Sequence, residues 1–209
     1  MRERPILFSA PMVLALLAGT KTQTRRLVKV DTAAEVFEPY ENWDGETWGS
    51  NAVDGTTSVI HCPYGKPGDR LWVKETWRPL DTLREARANH GHMCVRYAAD
   101  SGGITHDASL IPSGWKRPKA AKTGNVSPLF MPRWASRITL EVTGVRVERL
   151  QSISRDDAIA EGCEMPTQAR GMHPWPEEQY ATLWESINGD GSWAANPWVW
   201  VVEFARVTP

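Results

Sequence analysis

Gly19-Thr20-Lys21-Thr22-Gln23-Thr24-Arg25-Arg26 is the stretch from which the fold of this 209-residue chain is read. An apolar helical run, Pro11 to Ala18, precedes it, and a short β-type run, Arg26 to Val30, follows. Glycine takes the left-handed C-terminal cap of a helix without a Cβ penalty, so Gly19 closes the first element. The chain then leaves extended, and the period of two puts Thr22, Thr24 and Arg26 on one face. Lys21, in the turn, is free to lean toward the same side. A lysine, a hydroxyl and a guanidinium would then converge at the mouth of whatever this segment borders. Solvated cations at a helix C-terminus are the plainer reading of the same residues.

On the N-terminal side, Pro5 to Ser9 reads as a short strand ahead of the helix, with Pro11 tolerated in the first helical turn. Tyr64-Gly65-Lys66-Pro67-Gly68-Asp69-Arg70 is a turn, since proline presets one φ and glycine supplies the positive one. It launches an alternating strand, Leu71 to Trp77, with Leu71, Val73 and Glu75 on one face. Arg137 to Leu150 alternates again, and Gly144 marks a bulge or a tight corner. Ser154 with Asp157 forms a capping box that opens a short helix ended by Gly162. Pro176 to Asn188 is amphipathic, with Tyr180, Leu183, Trp184 and Ile187 on one side. Trp198 to Val207 is an apolar closing strand. Strands without regular βαβ alternation, among a few short helices, predict an α+β fold. The expected form is a small twisted β-barrel with short flanking helices, in one domain over residues 1–209. In it, Trp72, Trp184, Trp198 and Trp200 fall in periodic segments and are expected in the core.

The formal charge of −1 argues against a globally basic nucleic-acid binder, but the charge is unevenly spread. From Val30 to Gly65 there are seven acidic residues and no Lys or Arg; from Ile111 to Arg137 there are six basic residues and no Asp or Glu. The segments at about 31–63 and 79–128 therefore read as acidic and basic excursions, the first with a loose hairpin and the second with a helix-capable piece, Leu83 to Asn89. Three cysteines (Cys62, Cys94, Cys163) lack paired spacing, so no disulfide framework is expected. His90-Gly91-His92-Met93-Cys94 is too weak a pattern for zinc, and no metal or cofactor is expected. No run approaches the roughly 18 apolar residues of a membrane span. The cationic start is interrupted by Glu3 and Pro11, so the expected location is cytoplasmic.

Gly19-x-Lys21-x-x-x-x-Arg26 after an apolar helix resembles the signature of ASCH domains, relatives of the PUA fold. The Lys66-Pro67-Gly68-Asp69 turn, the Ile153 to Gly162 helix and the apolar last strand follow in the same order. The resemblance covers about half of the chain, and both excursions then count as insertions. It is nearest to the larger phage- and prophage-type ASCH proteins. Thr24 stands where the family motif has glutamate. This brings the chain nearer to small ASCH amidohydrolases that cleave acetylated cytidine with a lysine, a threonine and a glutamate. By motif position these correspond to Lys21, Thr24 and Glu161.

Two functions follow from this. The first is a nucleobase- or nucleic-acid-binding protein with a cleft next to Lys21. Gly19, Arg25, Arg26, Trp115, Lys116, Arg117, Arg133 and Trp134 would make the ligand contacts, and Phe130 would add a stacking face. The second is an amidohydrolase acting on a modified nucleoside such as N4-acetylcytidine. There Thr24 is nucleophile or water-orienting hydroxyl, Lys21 a base if burial or neighbouring cations lower its pKa, and Glu161 its proton partner. A protein-interaction factor, with the insertions as docking surfaces, is the third possibility.

Overall fold

The structure, a computed structural model, describes residues 1–29, 47–51, 57–80, 92–166 and 174–207. Ten strands and three α-helices are found among them. In order they are β1 (Glu3–Leu7), α1 (Ala10–Ala18), β2 (Gln23–Leu27), β3 (Thr47–Asn51), β4 (Thr57–His61), β5 (Arg70–Lys74) and β6 (Trp77–Leu80). Then come β7 (His92–Tyr97), β8 (Gly103–Asp107), β9 (Thr139–Arg149), α2 (Arg155–Ala160), α3 (Pro176–Asn188) and β10 (Trp198–Val207). The chain is α+β.

The expected closed barrel is not what forms. One sheet has the order β1-β5-β9-β10-β2, with β1 and β2 as its two edges. Strands β6-β7-β8 make a separate sheet, and β3-β4 an antiparallel hairpin. The regular burial alternation from Leu71 runs on to Leu80, but strand geometry stops after Lys74 and resumes at Trp77. Trp77 then pairs with Tyr97 in the second sheet, so strands that would have closed a barrel partner one another.

Two compact units result, each assembled from separated segments. The first comprises Met1–Arg2, Gly19–Asp69 and Glu141–Ala205; the second Glu3–Ala18, Arg70–Leu140 and Arg206–Pro209. In the second unit, Trp77, Val95, Tyr97, Val126 and Ala135 form a buried core, with Trp115 and Trp134 packed against it. Helix α1 begins with the Val13 N–H donating to the Ser9 carbonyl at 2.9 Å and buries Val13 and Leu16, while Leu14 is exposed. Trp72, expected in the core, is half-buried with the Lys74 ammonium 5.6 Å over its ring.

In the first unit, Val199 and Val201 of β10 pack with Leu150, Ala158, Tyr180 and Trp184. The capping box is present: Ser154 Oγ accepts the Asp157 N–H at 3.1 Å, and Asp157 Oδ2 accepts the Ser154 N–H at 3.3 Å. Helix α3 buries Tyr180 and Trp184 but leaves Ile187 exposed. Gly144 has its own cause. A Cβ there would meet Glu203 Oε2 at 2.6 Å, so the glycine makes room for a neighbouring side chain. No described helix is long and apolar enough to cross a membrane.

Candidate functional site

Gly19 has φ +76 and caps α1, as its position before Lys21 requires. The chain turns there, and the Thr22 N–H donates to the Ala160 carbonyl at 2.8 Å, which fixes the turn against the end of α2. This contact decides which face of β2 matters. Lys21 Nζ donates to Glu161 Oε2 at 2.6 Å and to the Glu161 carbonyl at 2.8 Å. Gln23 Nε2 donates to the Asp157 carbonyl at 3.0 Å. Arg25 Nη2 lies 3.1 Å from Glu148 Oε2 and 3.2 Å from Asp157 Oδ2, and Nη1 lies 3.7 Å from Glu161 Oε1. Lys21, Gln23 and Arg25 thus converge on α2 and β9. Thr24 and Arg26 stand opposite Val202 and Trp200 on the other face of the strand.

The expected grouping of Lys21 with Thr22, Thr24 and Arg26 is therefore exchanged for its alternate. Lys21 and Glu161 meet, 140 residues apart in sequence, and Thr24 faces away from them. Arg25, expected at a ligand, is turned inward onto three carboxylates. Arg146 extends the cluster by pairing with Glu148, Asp157 and Glu203. The residues that sequence reasoning missed are Arg146, Glu148, Glu203 and Tyr180. Only Asp157 carried a local signal, as the acid of the capping box.

The electrostatics follow from burial. The side chains of Lys21 and Arg25 are 0% exposed and that of Glu161 is 2%. Desolvation lowers the Lys21 pKa; Glu161 pulls it back, Arg26 pushes it further down, and the net result is below the ordinary value of 10.5. Burial works to raise the Asp157 carboxyl, but the Ser154 hydroxyl and Arg25 outweigh it and hold it below 3.8. Burial, then the Glu161 carboxylate, push the Cys163 thiol up to about 11, so it stays a neutral thiol at neutral pH. The Tyr180 phenol is likewise raised by its burial, and its ring lies 5.9 Å from the Arg25 guanidinium carbon. Among the described residues, Arg25 Nε, Arg25 Nη1 and Glu161 Oε1 are buried without a hydrogen-bond partner.

The same unit holds a cavity of about 420 Å³ lined by Leu27, Lys29, Ile60, His61, Tyr64 and Trp200. It is not beside Lys21. The Phe204 N–H donates to the Thr22 carbonyl, whereas Trp200 stands opposite Arg26. Four residues of β10 separate these positions, about 13 Å along the strand.

The remaining expected contacts lie in the second unit. Trp115 packs edge-on against Trp134 at 5.1 Å, and Trp134 meets Trp77 at 6.2 Å, so both are wall material of the aromatic core rather than outlying platforms. Arg117 donates to the Pro79 carbonyl at 2.6 Å, and Arg133 pairs with Glu3 at 2.8 Å. Lys116 and Phe130 are exposed. His90, most of the acidic excursion and the piece from Leu83 to Asn89 lie outside the described residues. Among the described residues no group of three ligating side chains is arranged for a metal ion. No family model, curated protein or solved structure matches this chain.

Proposed function

We propose that the chain is an ASCH-type, PUA-like protein that binds a nucleobase in the cavity at the far end of β2. The observation that carries this is the composition of the cavity wall. Trp200 and Tyr64 provide aromatic faces, Leu27 and Ile60 apolar sides, and the volume falls in the range of roughly 300–1,000 Å³ for small-ligand sites. The resemblance of the Gly19 to Arg26 stretch to ASCH domains supports a nucleobase as the planar group. Tyr64 is set by a built turn. The Gly65 N–H donates to the Cys62 carbonyl at 3.1 Å, and the Asp69 N–H to the Lys66 carbonyl at 2.9 Å. Calorimetric titration with the four common nucleosides tests the reading. Binding of at least one is expected, and Tyr64→Ala should weaken it by about 1–3 kcal/mol, the worth of one stacked base. Titrations with no heat from any nucleoside would refute it.

A second reading, hydrolysis of an N-acylated cytidine, is favoured by one observation: the desolvated, lowered Lys21 bonded to Glu161. Burial of the lysine is the condition that amide hydrolysis places on such a base. Neutral Lys21 would take a proton from water, the hydroxide would add to the acyl carbon, and the lysine would pass that proton to N4 as the C–N bond breaks, releasing cytidine and the carboxylic acid and restoring neutral Lys21. Water, rather than Thr24, is then the nucleophile, because Thr24 faces the other side of β2.

A further inference from the structure

The cavity has two kinds of wall, and the difference defines its ligand more narrowly than a base alone. Trp200 is buried and Tyr64 half-buried, so aromatic surface lies inside. Lys29 and His61 are exposed, so the polar groups lie at the rim. Of the described residues lining the cavity, none is acidic, and the two rim groups are an ammonium and an imidazole. An ammonium carries three donors, and an imidazole offers a donor in either tautomer. A rim whose described residues supply donors and no carboxylate favours an anionic group and disfavours a cationic one.

The rim is also held in place by the backbone. Pairing of β2 with β10 continues beyond Leu27, since the Val28 N–H donates to the Trp198 carbonyl at 3.0 Å, one residue before Lys29. On the other side, Gly65 has φ +99, and a Cβ there would sit 2.8 Å from Asp69 Oδ2. Asp69 is itself anchored, accepting the Arg2 N–H at 2.7 Å. The turn that carries Tyr64 is therefore pinned at both ends, and His61 is the last residue of β4, immediately before it.

We propose that the cavity takes a mononucleotide rather than a free nucleoside, with the base between Trp200 and Tyr64 and the phosphate at Lys29 and His61. This rests on the nucleobase reading of the same cavity. The shared chemistry is a planar aromatic group bearing an anion, and a free nucleotide and the terminal nucleotide of a strand both present it.

Calorimetry on the intact chain with four probe sets tests the proposal: nucleosides, their 5′-monophosphates, ribose 5-phosphate and inorganic phosphate. The expected result is a monophosphate bound at least tenfold more tightly than its nucleoside, with the two base-free probes far weaker than either. Lys29→Gln should remove most of that tenfold advantage. Equal affinity for nucleoside and monophosphate would overturn the phosphate assignment and leave the nucleobase reading standing. Binding of ribose 5-phosphate as tight as the nucleotide would overturn it too, by removing the base. If no probe binds, both readings fall. A trinucleotide with a 5′-phosphate, titrated beside the monophosphate, separates the two sources: tighter binding of the trinucleotide assigns the site to strand ends, equal binding to the free nucleotide.

Discussion

Among the described residues each unit has a buried guanidinium bound to carboxylates, Arg25 in the first and Arg137 in the second, and the two clusters are built to different standards. In the second unit, Arg137 forks onto Glu75 with bonds of 2.8 and 2.9 Å and onto Asp100 with bonds of 2.8 and 3.1 Å. Its face lies 4.0 Å over the Tyr97 ring, and the Tyr97 hydroxyl donates to the Ala135 carbonyl at 2.9 Å. Two bidentate carboxylates engage four of the five guanidinium donors, and the ring covers its face. In the first unit, Arg25 meets three carboxylates rather than two, yet its Nε and Nη1 and the Glu161 Oε1 are left without hydrogen bonds among the described residues. Native proteins seldom leave buried polar atoms unmet, because each costs about 1–3 kcal/mol. A saturated cluster clasps chain segments together. An unsaturated one holds some of its charges by proximity alone, as with Arg25 Nη1 and Glu161 Oε1 at 3.7 Å, next to a lysine whose charge is penalised by burial.

The largest expected effect tests the clasp. Arg137→Ala leaves Glu75, whose side chain is 2% exposed, buried without its cation, and should cost about 3–5 kcal/mol in urea unfolding. Arg137→Lys should recover only part of this, since an ammonium cannot make two forks. Neither change should alter nucleoside binding. A loss under about 1 kcal/mol in Arg137→Ala would mean that the Arg137 cluster clasps no more firmly than the Arg25 cluster.

A smaller loss is expected in the other cluster. Lys21→Met leaves Glu161 with Arg25 still 3.7 Å away, so about 2–3 kcal/mol is expected. The double replacement Lys21→Met with Glu161→Leu should restore most of that, as apolar substitutes for buried ion pairs do. Release of cytidine from N4-acetylcytidine, followed by chromatography, gives the functional side. Activity in wild type that vanishes in Glu161→Gln and in the stable double variant assigns chemistry to the pair. Wild type that releases nothing removes the hydrolytic reading and leaves an unfilled ion pair. The pH dependence has a definite sign. Because native Lys21 is lowered, the unfolded chain binds the proton more tightly, so its contribution to stability rises as pH climbs toward 10.5. That slope should be absent in Lys21→Met.

The smallest effect concerns Asp157. Its carboxyl is depressed in the native chain, so its contribution is present above the ordinary 3.8 and lost as pH falls through the lower native value. After allowance for solvent screening, Asp157→Asn should cost about 0.5–1 kcal/mol at neutral pH. In urea titrations taken down to roughly pH 2, the difference from wild type should shrink to nothing. A constant difference across pH would show that the capping geometry, rather than the charge, is what Asp157 supplies.

Local chemistry was legible residue by residue. Gly19 had to cap α1 because of its φ, Ser154 and Asp157 had to form a capping box, and Ile138, Leu140 and Val142 alternate into the core as their pattern requires. The pairing of strands was not legible in the same way. The run from Leu71 to Leu80 alternates without a break, and nothing local says that it divides between two sheets after Lys74. Trp77 decides it by pairing with Tyr97 and by filling the second core, both of which depend on residues far along the chain.

The candidate site divides along the same line. Residue order alone set which side chains were available at Gly19 to Arg26, and that Lys21 left the helix end as a cation near an extended segment. Alternation also determined that Thr24 and Arg25 would look opposite ways. Which of the two faces would be the charged, buried one was decided only when the end of α2 docked against the turn through Ala160 and Glu161. The physical reason is that a lysine's environment is set by what excludes water from it. Glu161, 140 residues away, and Tyr180 of α3 reach that place only through the tertiary fold.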